Sequence, residues 1–568
     1  MAGAGRITGV RGGRPAPART GNPFTMTLSR RHWSSQYNIG HACTTTHRSA
    51  RPSGIAMRWL GPDGQRTDHS FEMLDRATNR FANALRTLGC EPGQLLCVWL
   101  PKLPEVFVAV LGALKQRLVV APLFANFGEE ALLDRLEGAS PVVIVTKRSL
   151  SKRLARIRDR LPSLAHVLLV DEDAHGADGS LSFARLLDEA SDVFETPLTG
   201  PDTPSILHFT SGSTGKPKGA LHAHGSIVTQ QETAEEVLGL RADDVFWCTA
   251  DQAWVTGTSY GIIGPWSLGV TQVHYAGPYD PEAWFEILQG GVTVWYTAPT
   301  ALRMLMREDP ERFRRFDRSR LRAVFSVGEP LSPEVIRWAE RVLGRPVHDT
   351  WFQTETGAIM ISNRPGLPMR PGSMGKPVRG IRASILGDDG TPAPQGQPGN
   401  LCLEAGWPSM FRTYLGHASA YESKFRGGWY YTGDTARQDD DGYFWFLGRS
   451  DDVINTAGHL VSPFEVESAL LELPEVAESG VVGVPDDLLY EKVVAFVHLK
   501  PPHRLTRELD LKIRLHVGNR VSSIASPKDI VAVDSVPKNK SGKILRRLLR
   551  ARYTGQDPGD LSTLEDSP

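Results

Sequence analysis

Small hydroxyls, glycines and two lysines are concentrated in the stretch TSGSTGKPKG, which begins at Thr210. Glycine lets backbone N–H groups approach an oxyanion, hydroxyl groups donate hydrogen bonds to it, and lysine supplies positive charge. The stretch could therefore hold phosphate groups, although Ser/Gly-rich segments are also typical of flexible linkers. It is not a Walker A loop, because Pro217 follows Gly215-Lys216 where that motif requires Ser or Thr. Taken alone, the stretch leaves both interpretations open.

The flanking sequence predicts the elements that would position this stretch. It follows SILHF, an apolar run typical of a buried strand, and similar runs occur in LLCVWL, LVVAPL, PVVIVT, HVLLVDED, VTVWYTA and AVFSVGE. Continuous Val/Ile/Leu runs, rather than alternating ones, are typical of parallel strands covered on both faces. Apolar residues at helical spacing between a Ser70 N-cap and Gly89 add an amphipathic helix. We therefore predict an α/β fold with a large, layered N-terminal domain.

The C-terminal third of the chain has a different composition. Pro and Gly become frequent from about Arg364, between short alternating runs, which predicts a β-rich subdomain with tight turns. Beyond GRSDDVI, a helix capped by Ser462, two strands and a further helix predict a small α+β domain. The predicted boundaries are 1–32 for a disordered extension, 33–449 for the N-terminal domain, 450–555 for the C-terminal domain and 556–568 for a disordered tail.

Composition argues against several classes of function. The 568 residues carry a formal net charge of +0, which gives no support for a nucleic-acid or membrane-surface role. Five cysteines without a CxxC pair indicate neither a disulfide framework nor a zinc site, and fit reduced thiols in the cytoplasm. The Arg-rich N-terminus resembles an organelle transit peptide, but we favour a disordered extension or a start at Met26.

Five motifs in a fixed order resemble the adenylate-forming superfamily, which contains acyl-CoA synthetases, luciferases and peptide-synthetase adenylation domains. The motifs are TSGSTGKPKG, WFQTETG, YTGD, GRSDD and PKNKSGK. The resemblance covers roughly residues 33–554. Further stretches, YNIGHACTTTH, ADQAWVTGTSYG, SVGEPLSPE and HDTWFQTETG, are similar to the acetyl-CoA synthetase branch of that superfamily.

The resemblance implies that the opening stretch holds the β- and γ-phosphates of ATP. A cradle is required because a carboxylate attacks the α-phosphorus, pyrophosphate leaves, and negative charge builds on it. Lys218 is expected to neutralise part of that charge. The phosphate-binding residues implied within the stretch are Thr210, Ser211, Gly212, Ser213, Thr214 and Gly215.

Other nucleotide contacts follow from the same resemblance. Asp349 matches the acceptor for the adenine amino group, Asp434 the ribose-binding carboxylate, and Glu355 the carboxylate near Mg²⁺. The remaining matched positions are the adenine-stacking wall Gly328, Glu329 and Pro330, together with Thr350, Trp351, Gln353, Thr354 and Arg449.

The resemblance also implies two successive poses of a mobile C-terminal domain. Lys543 resembles the lysine that enters the active site for adenylation and that acetylation can silence. Rotation about Asp451 would then bring Gly458 beside the pantetheine tunnel for thioester formation with CoA. One departure is Leu460, where acetyl-CoA synthetases commonly carry Arg, so a phosphate-directed charge is missing. The residues that we expect to be catalytic are Lys543, Lys218, Arg449 and Gly458.

The branch lines its acyl pocket with residues that match Val255, Thr256, Val327 and Phe352. Strict acetate enzymes commonly have Trp in place of Phe352, and its indole forms the pocket floor. Phe is smaller but still bulky, so we predict a short pocket for acetate, propionate and a four-carbon acid, with loose discrimination between neighbours. An alternative is that Phe352 only packs in the core.

The sequence thus predicts an ATP-dependent acid:CoA ligase that acts on acetate or propionate. It would form acyl-adenylate and pyrophosphate, and then acyl-CoA and AMP. Two alternatives are a ligase for a four-carbon, larger or hydroxy acid, and an adenylating enzyme that loads a carrier protein. Dependence of product formation on free CoA would distinguish a ligase from the enzyme that loads a carrier protein. Expected partners are the acid, ATP, CoA and a lysine acetyltransferase and deacetylase acting on Lys543, with no nucleic acid or membrane.

Overall fold

Parallel strands dominate the first half of the chain, as the apolar runs predict. The structure is a computed structural model, which describes residues 36–210, 217–313, 315–450, 452–456, 459–486, 488–538 and 543–557. The predicted N-terminal extension, Ser211 to Gly215, Asp451 and Gly458 lie outside the described residues.

Two large sheets form the N-terminal part of the described chain. The first contains, in spatial order, Thr413–Tyr414, Lys218–Ala223, Pro204–Thr210, Val119–Leu123, Leu95–Trp99, Val143–Thr146, His166–Leu169 and Leu181–Ser182. The second contains Lys376–Pro377, Ile361–Ser362, Val347–Trp351, Ala323–Val327, Val294–Thr297, Val245–Cys248, Thr271–Tyr275, Ile55–Leu60 and Arg66–Ser70.

The predicted phosphate-binding stretch lies between two strands of the first sheet. Pro204–Thr210 pairs parallel to Val119–Leu123 on one side and antiparallel to Lys218–Ala223 on the other. Thr210 and Lys218 are opposite each other at the end of this antiparallel pair. The stretch is therefore anchored at both ends by strands, which a flexible linker between domains would not require.

Helices cover the faces of both sheets. Residues of the helices Phe71–Thr87, Pro104–Lys115 and Ser226–Glu236 share one apolar core with strand residues of the two sheets. The predicted N-cap is confirmed, because Ser70 Oγ accepts a hydrogen bond from the Met73 amide. The other helices of the N-terminal part are Ile39–Cys43, Thr45–Ala50, Glu129–Ala139, Arg148–Ile157, Arg158–Arg160, Phe183–Glu189, Val255–Thr258, Ser259–Ile263, Gly264–Ser267, Pro281–Gln289, Pro299–Leu305, Pro310–Phe313, Pro333–Leu343 and Ala418–Glu422.

A buried ion pair joins two of these helices. Lys115 Nζ lies 2.7 Å from Asp75 Oδ1, and both side chains are fully buried. Lys115 also donates to Asn79 Oδ1 at 2.6 Å. Thr45 and Arg48 donate to the Asp75 carboxylate, so the network also fixes the helix Thr45–Ala50. Helical periodicity does not predict it, because Lys115 ends an otherwise apolar helix.

The predicted β-rich subdomain is confirmed by a third sheet. Its strands are Ala383–Leu386, Gly399–Glu404, Trp429–Gln438, Phe425–Arg426 and Phe444–Arg449. All of the pairings recorded for this sheet are antiparallel. Trp429–Gln438 pairs with Phe444–Arg449 so that Asp434 and Arg449 are direct partners.

The C-terminal part has the predicted α+β organisation. Its strands are His459–Val461, Ile454–Thr456, Tyr490–Leu499, Val476–Asp486 and Asp529–Ala532, and its helices are Pro463–Leu471, Arg507–Arg520, Ser523–Ala525 and Arg546–Thr554. Ser462 caps the first of these helices by accepting from the Glu465 amide. This part has apolar clusters of its own. The α/β fold class is confirmed, whereas the exact domain boundaries stay a prediction.

Candidate active site

A large cavity opens where the N-terminal sheets face the C-terminal part. Its volume is about 1580 Å³. All of the predicted site residues within the described chain line it, although they come from positions as distant as 210 and 543. These residues are Thr210, Lys218, Val255, Thr256, Val327, Gly328, Glu329, Pro330, Asp349, Thr350, Trp351, Phe352, Gln353, Thr354, Glu355, Asp434, Arg449 and Lys543.

Neighbouring parallel strands deliver one wall of the cavity. Val294–Thr297, Ala323–Val327 and Val347–Trp351 pair in parallel, so their carboxyl ends meet at the same edge of the sheet. Ligands of open α/β sheets bind at that edge. Gly328 directly follows the middle strand with φ +86°, a backbone conformation that glycine adopts without strain. The predicted adenine wall therefore starts at a residue that the backbone requires to be glycine.

Asp349 is buried at this edge in the strand Val347–Trp351. Ser326 Oγ donates to its Oδ1 at 2.7 Å. Burial raises the pKa of Asp349 to about 7, and the hydrogen bond from Ser326 offsets part of the rise. A hydrogen-bond donor on a ligand would favour the ionised form of the Asp349 carboxylate. The predicted adenine amino group would be such a donor.

Glu329 has partners that the sequence motifs do not reveal. Thr300 Oγ1 donates to Glu329 Oε2 at 2.8 Å, and Arg303 Nη2 donates to the same oxygen at 2.5 Å. Thr300 and Arg303 belong to the helix Pro299–Leu305 and also line the cavity. The ion pair therefore holds the loop that contains Gly328 against that helix.

Asp434 is the centre of a second polar network. Arg449 Nη1 donates to Asp434 Oδ1 at 2.8 Å, while Trp351 Nε1 and Gln353 Nε2 donate to Oδ2 at 3.1 and 3.0 Å. The Asp434 carboxylate is thereby fixed by three donors from two different motifs. Tyr430 donates to the amide oxygen of Gln353 at 3.0 Å, which orients that side chain. A pre-oriented carboxylate in a cavity is suited to accept hydrogen bonds from ribose hydroxyls.

Glu355 lies near Lys218, on the side of the predicted phosphate-binding stretch. The Tyr414 hydroxyl donates to Glu355 Oε1 at 2.7 Å. Burial, followed by the negative charge of Glu355, raises the pKa of Tyr414 well above its ordinary value, so the hydroxyl stays protonated. Lys218 Nζ lies 5.9 Å from the centroid of the Tyr414 ring. The sequence motifs did not single out Tyr414, which connects the carboxylate and the lysine.

A buried histidine supports the segment that contains Thr354. The His222 ring nitrogens lie 2.8 Å from the Thr354 carbonyl oxygen and 3.2 Å from that of Ser409. Burial lowers the pKa of His222 to about 4, so the ring is neutral at physiological pH. His222 thus acts as a structural support behind the cavity wall.

The residues of the predicted acyl pocket line the cavity beside a π-helical turn. Val255 and Thr256 begin the helix Val255–Thr258, which continues into the π-helical turn Ser259–Ile263. A side chain at Gly257 would collide with the Asp251 carbonyl, since an added Cβ lies 1.9 Å from that oxygen. Phe352 packs edge-to-face on Tyr260, with ring centroids 5.6 Å apart. Phe352 therefore lines the cavity and also packs on the core residue Tyr260. Its position is compatible with both roles considered from the sequence, pocket lining and core packing.

Lys543 reaches the cavity from the C-terminal part. Burial among the surrounding residues lowers the pKa of its ammonium group, and the positive charge of Arg449 lowers it further. Nearby, Arg546 Nη2 donates to both carboxylate oxygens of Glu467 at 2.7 Å. Because Arg546 begins the helix that follows Lys543, this ion pair anchors the segment that carries the lysine.

Comparison with known proteins identifies the family. The model for the AMP-binding enzyme family matches residues 45–415, and the model for the AMP-binding enzyme C-terminal domain matches residues 465–543. The chain belongs to the AMP-binding enzyme family. Both matched segments contribute residues to the cavity, so the site lies between the two parts that define this family.

Individual AMP-binding enzymes resemble the chain over nearly its whole length. It is 42% identical to the acetyl-coenzyme A synthetase of Bacillus subtilis (strain 168), over 94% of this chain and 93% of that protein. It is 38% identical to the acetyl-coenzyme A synthetase of Pyrobaculum aerophilum, over 93% of this chain and 85% of that protein. The crystal structure of an anthranilate CoA ligase in complex with anthranoyl-AMP superimposes with a TM-score of 0.84 at 29% identity, covering 92% and 98% of the two chains.

The described part of the chain lacks both a membrane-spanning helix and a cluster of metal-ligating side chains. No helix in that part of the chain is long and apolar enough to cross a membrane. The same residues contain no group of three or more His, Cys, Asp or Glu side chains placed to hold a metal ion.

Proposed function

We propose that this enzyme is an AMP-forming acid:CoA ligase whose substrates are ATP, CoA and a short acid, acetate or propionate. The observation that carries the proposal is the single cavity that contains Asp349, Asp434, Glu355, Arg449 and Lys543. Relatives named acetyl-coenzyme A synthetase, at 38–42% identity over nearly the whole chain, support the choice of a short acid. The two carboxylates Asp349 and Asp434 suit the polar hydrogens of adenine and ribose.

In the first step, the acid's carboxylate oxygen attacks the α-phosphorus of ATP. A new P–O bond forms, the bond to the bridging oxygen of pyrophosphate breaks, and no proton needs to move. Lys543 and Arg449 would stabilise the approach of two anionic groups, and Lys218 would stabilise the departing pyrophosphate. Fixed positive charges aimed at developing negative charge are the main source of catalysis in such transfers.

Glu355 would hold Mg²⁺ together with phosphate oxygens. One carboxylate plus phosphates is a donor set that Mg²⁺ commonly takes, and the Tyr414 hydroxyl already orients Glu355. When bound, Mg²⁺ would offset the charge of the phosphates. In the second step, the CoA sulfur would attack the acyl carbon and lose its proton to solvent, the bond from that carbon to the AMP oxygen would break, and AMP would leave. Gly458 and a rotation about Asp451 would serve this step, as predicted from the sequence.

The decisive experiment is acid-dependent release of pyrophosphate with ATP, Mg²⁺ and CoA. The acids are a straight-chain series from acetate to octanoate with hydroxy and branched four-carbon acids, and the thioester product is checked by mass spectrometry. We expect a maximum at two or three carbons. A maximum beyond four carbons would contradict the assignment of Phe352 as the pocket floor. Turnover that does not depend on free CoA would favour a carrier protein as the acyl acceptor.

Lys543 provides a test of the two half-reactions. Lys543→Ala should abolish formation of acyl-adenylate, because the cation that approaches the α-phosphate is removed. Thioester formation from preformed acyl-adenylate should remain largely intact. If adenylation survived in this variant, the assignment of Lys543 would be wrong.

The same proposal covers the regulation of Lys543 and the location of the enzyme. Acetylation of Lys543 by a lysine acetyltransferase, reversed by a deacetylase, would remove its charge and stop adenylation. The cytoplasm is the proposed location, and five free, buried thiols fit its reducing conditions.

A further inference from the structure

Lys424 is a cavity-lining cation outside all of the recognised motifs. It lies in the turn between the helix Ala418–Glu422 and the strand Phe425–Arg426. It lines the same cavity as Lys218, Glu355 and Asp434. The sequence around it, YESKFRGG, has no feature that distinguishes this lysine from a solvated one.

The backbone of Lys424 is fixed on both sides. Its amide donates to the Tyr421 carbonyl at 3.0 Å, and its carbonyl accepts from the Tyr431 amide at 2.8 Å. Beneath the turn, the Phe425 ring packs against Tyr421 and Tyr430, with centroids 4.9 and 5.5 Å apart. A lysine on such a rigid base loses less freedom when it binds a ligand than one on a mobile loop.

The ammonium group of Lys424 has no hydrogen-bond or ion-pair partner among the described residues. Two arginines at the cavity, by contrast, are paired: Arg303 with Glu329, and Arg307 with Glu478. Burial lowers the pKa of Lys424, and the positive charges of Arg449 and Lys218 lower it further, while Glu355 and Asp434 oppose the change. A partly buried cation without a hydrogen-bonded counter-ion is stabilised when an anion joins it.

The charges around Lys424 identify the kind of anion. Lys218, Lys424, Arg449 and Lys543 line the same cavity, with Glu355 and Asp434 as the carboxylates that act on Lys424. Around Lys424, three cations (Lys424 itself, Lys218 and Arg449) therefore accompany two carboxylates. Asp434 is assigned to the ribose and Glu355 to Mg²⁺, so the ligand group nearest to both is the phosphate chain.

We propose that Lys424 is a further phosphate-binding residue, which contacts the polyphosphate of ATP and stabilises pyrophosphate as it leaves. The inference rests on the proposed ligase function. As the α-phosphorus bond to pyrophosphate breaks, the bonding electrons remain on the departing oxygen, and the Lys424 ammonium, close to Lys218, offsets the added charge. The residue needs no proton transfer for this role.

Three variants test the inference. Lys424→Met removes the charge and keeps the length of the side chain, while Lys424→Arg keeps the charge. Arg426→Met is the matched control, because Arg426 is two residues away but exposed, and its guanidinium lies 5.3 Å from the centroid of the Tyr431 ring. All three are assayed for acid-dependent pyrophosphate release and for thioester formation from preformed acyl-adenylate.

We expect Lys424→Met to lower kcat/KM for ATP by about 10- to 100-fold, as the loss of a hydrogen bond to a charged group typically does. Thioester formation should stay within about two-fold of wild type, because acyl-adenylate contains no pyrophosphate. Lys424→Arg should restore most of the loss, and Arg426→Met should behave as wild type. Equal losses in both half-reactions, or no rescue by arginine, would overturn the inference.

Calorimetric titration with magnesium pyrophosphate separates this inference from the proposed function. We expect the affinity of Lys424→Met for pyrophosphate to fall about ten-fold relative to wild type, with AMP affinity changed less. This measurement needs no turnover, so it remains informative if no acid supports catalysis. Unchanged pyrophosphate affinity in an otherwise active enzyme would refute the role of Lys424 and leave the ligase assignment intact.

Discussion

Asp349 illustrates how one buried carboxylate can make nucleotide binding depend on pH. With a pKa raised by burial to about 7, it is mostly protonated at pH 6 and mostly ionised at pH 8. The ionised carboxylate accepts a hydrogen bond from an amino group, so binding of adenine favours the deprotonated form. The affinity for the adenine base should therefore rise with pH across this interval.

Adenosine is the appropriate probe for this prediction, because it has no phosphate that titrates in the same range. We expect wild-type affinity for adenosine to increase several-fold from pH 6 to pH 8. Asp349→Asn should bind weakly at both values and lose the dependence, since its amide does not ionise. Calorimetric titration at the two pH values measures both effects, and a pH dependence retained in Asp349→Asn would contradict the assignment.

At the scale of single residues, the motif residues within the described chain all line one cavity, and the reason is chemical. Asp349, Asp434 and Lys543 lie in short stretches whose neighbours are glycines, hydroxyls or aromatic residues that suit a nucleotide. Lys424 and Tyr414 could not be found in this way, because their local sequence is ordinary. Only tertiary packing brings them to the cavity: Tyr414, in the first sheet, donates to Glu355, which follows a strand of the second sheet, and Lys424 lines the same cavity.

Helices and strands could be predicted where their buried residues are all apolar. They were harder to predict where a polar side chain is buried in the core. The strand Val143–Thr146 and the helix Phe71–Thr87 follow directly from apolar runs and periodicity. Lys115 does not, because a lysine at a helix end is usually solvated. Its pairing with Asp75 depends on how two helices approach each other, which a one-dimensional pattern does not contain.

The pairing of Lys115 with Asp75 should be important for stability. Removal of one partner from a buried ion pair typically costs about 3–5 kcal/mol, and here, among the described residues, only the partly exposed Arg48 would remain to offset the charge of Asp75. We therefore expect Lys115→Met to lower the free energy of unfolding by about that amount, as measured by the shift of the denaturation midpoint in urea. Lys152→Met, at an exposed lysine, should have little effect and serves as the control.

A variant that changes both partners sharpens this test. The double variant Asp75→Asn, Lys115→Met has no charged side chain at either position. It should therefore recover part of the stability that Lys115→Met loses. Equal stability of the single variant Lys115→Met and the wild type would show that the helix ends relax enough to solvate Asp75.

At the scale of the whole molecule, an ion pair crosses between the N-terminal and C-terminal parts. Arg307 Nη2 donates to Glu478 Oε1 at 2.6 Å, and Lys538 Nζ lies 3.0 Å from the same oxygen. These contacts occur in the arrangement that brings Lys543 to the cavity. A rotation of the C-terminal domain would separate Arg307 from Glu478, whereas Lys538 would move with Glu478.

Arg307→Ala should therefore affect the two half-reactions differently. A partly exposed pair is worth about 0.2–1 kcal/mol, so adenylation should slow by up to about five-fold. Thioester formation from preformed acyl-adenylate should be unchanged or faster. Arg312→Ala is the control, because Arg312 pairs with Glu282 and Glu308 within the N-terminal part. Single-turnover kinetics measure the rates of adenylation and of thioester formation. An equal loss of rate in both steps would contradict a contact that exists only in the adenylation pose.

The five cysteines have a consequence beyond the redox argument. All are buried and free, and burial raises the pKa of each thiol, to about 11 for Cys90 and about 12 for Cys402. We therefore expect the native thiols to react very slowly with maleimides at neutral pH. A single cysteine introduced at Leu488, which is 93% exposed in the C-terminal part, would be labelled selectively. A second cysteine introduced on the N-terminal part would allow a pair of dyes to be attached. The distance between the dyes would report domain rotation during each turnover, and no native cysteine would have to be removed.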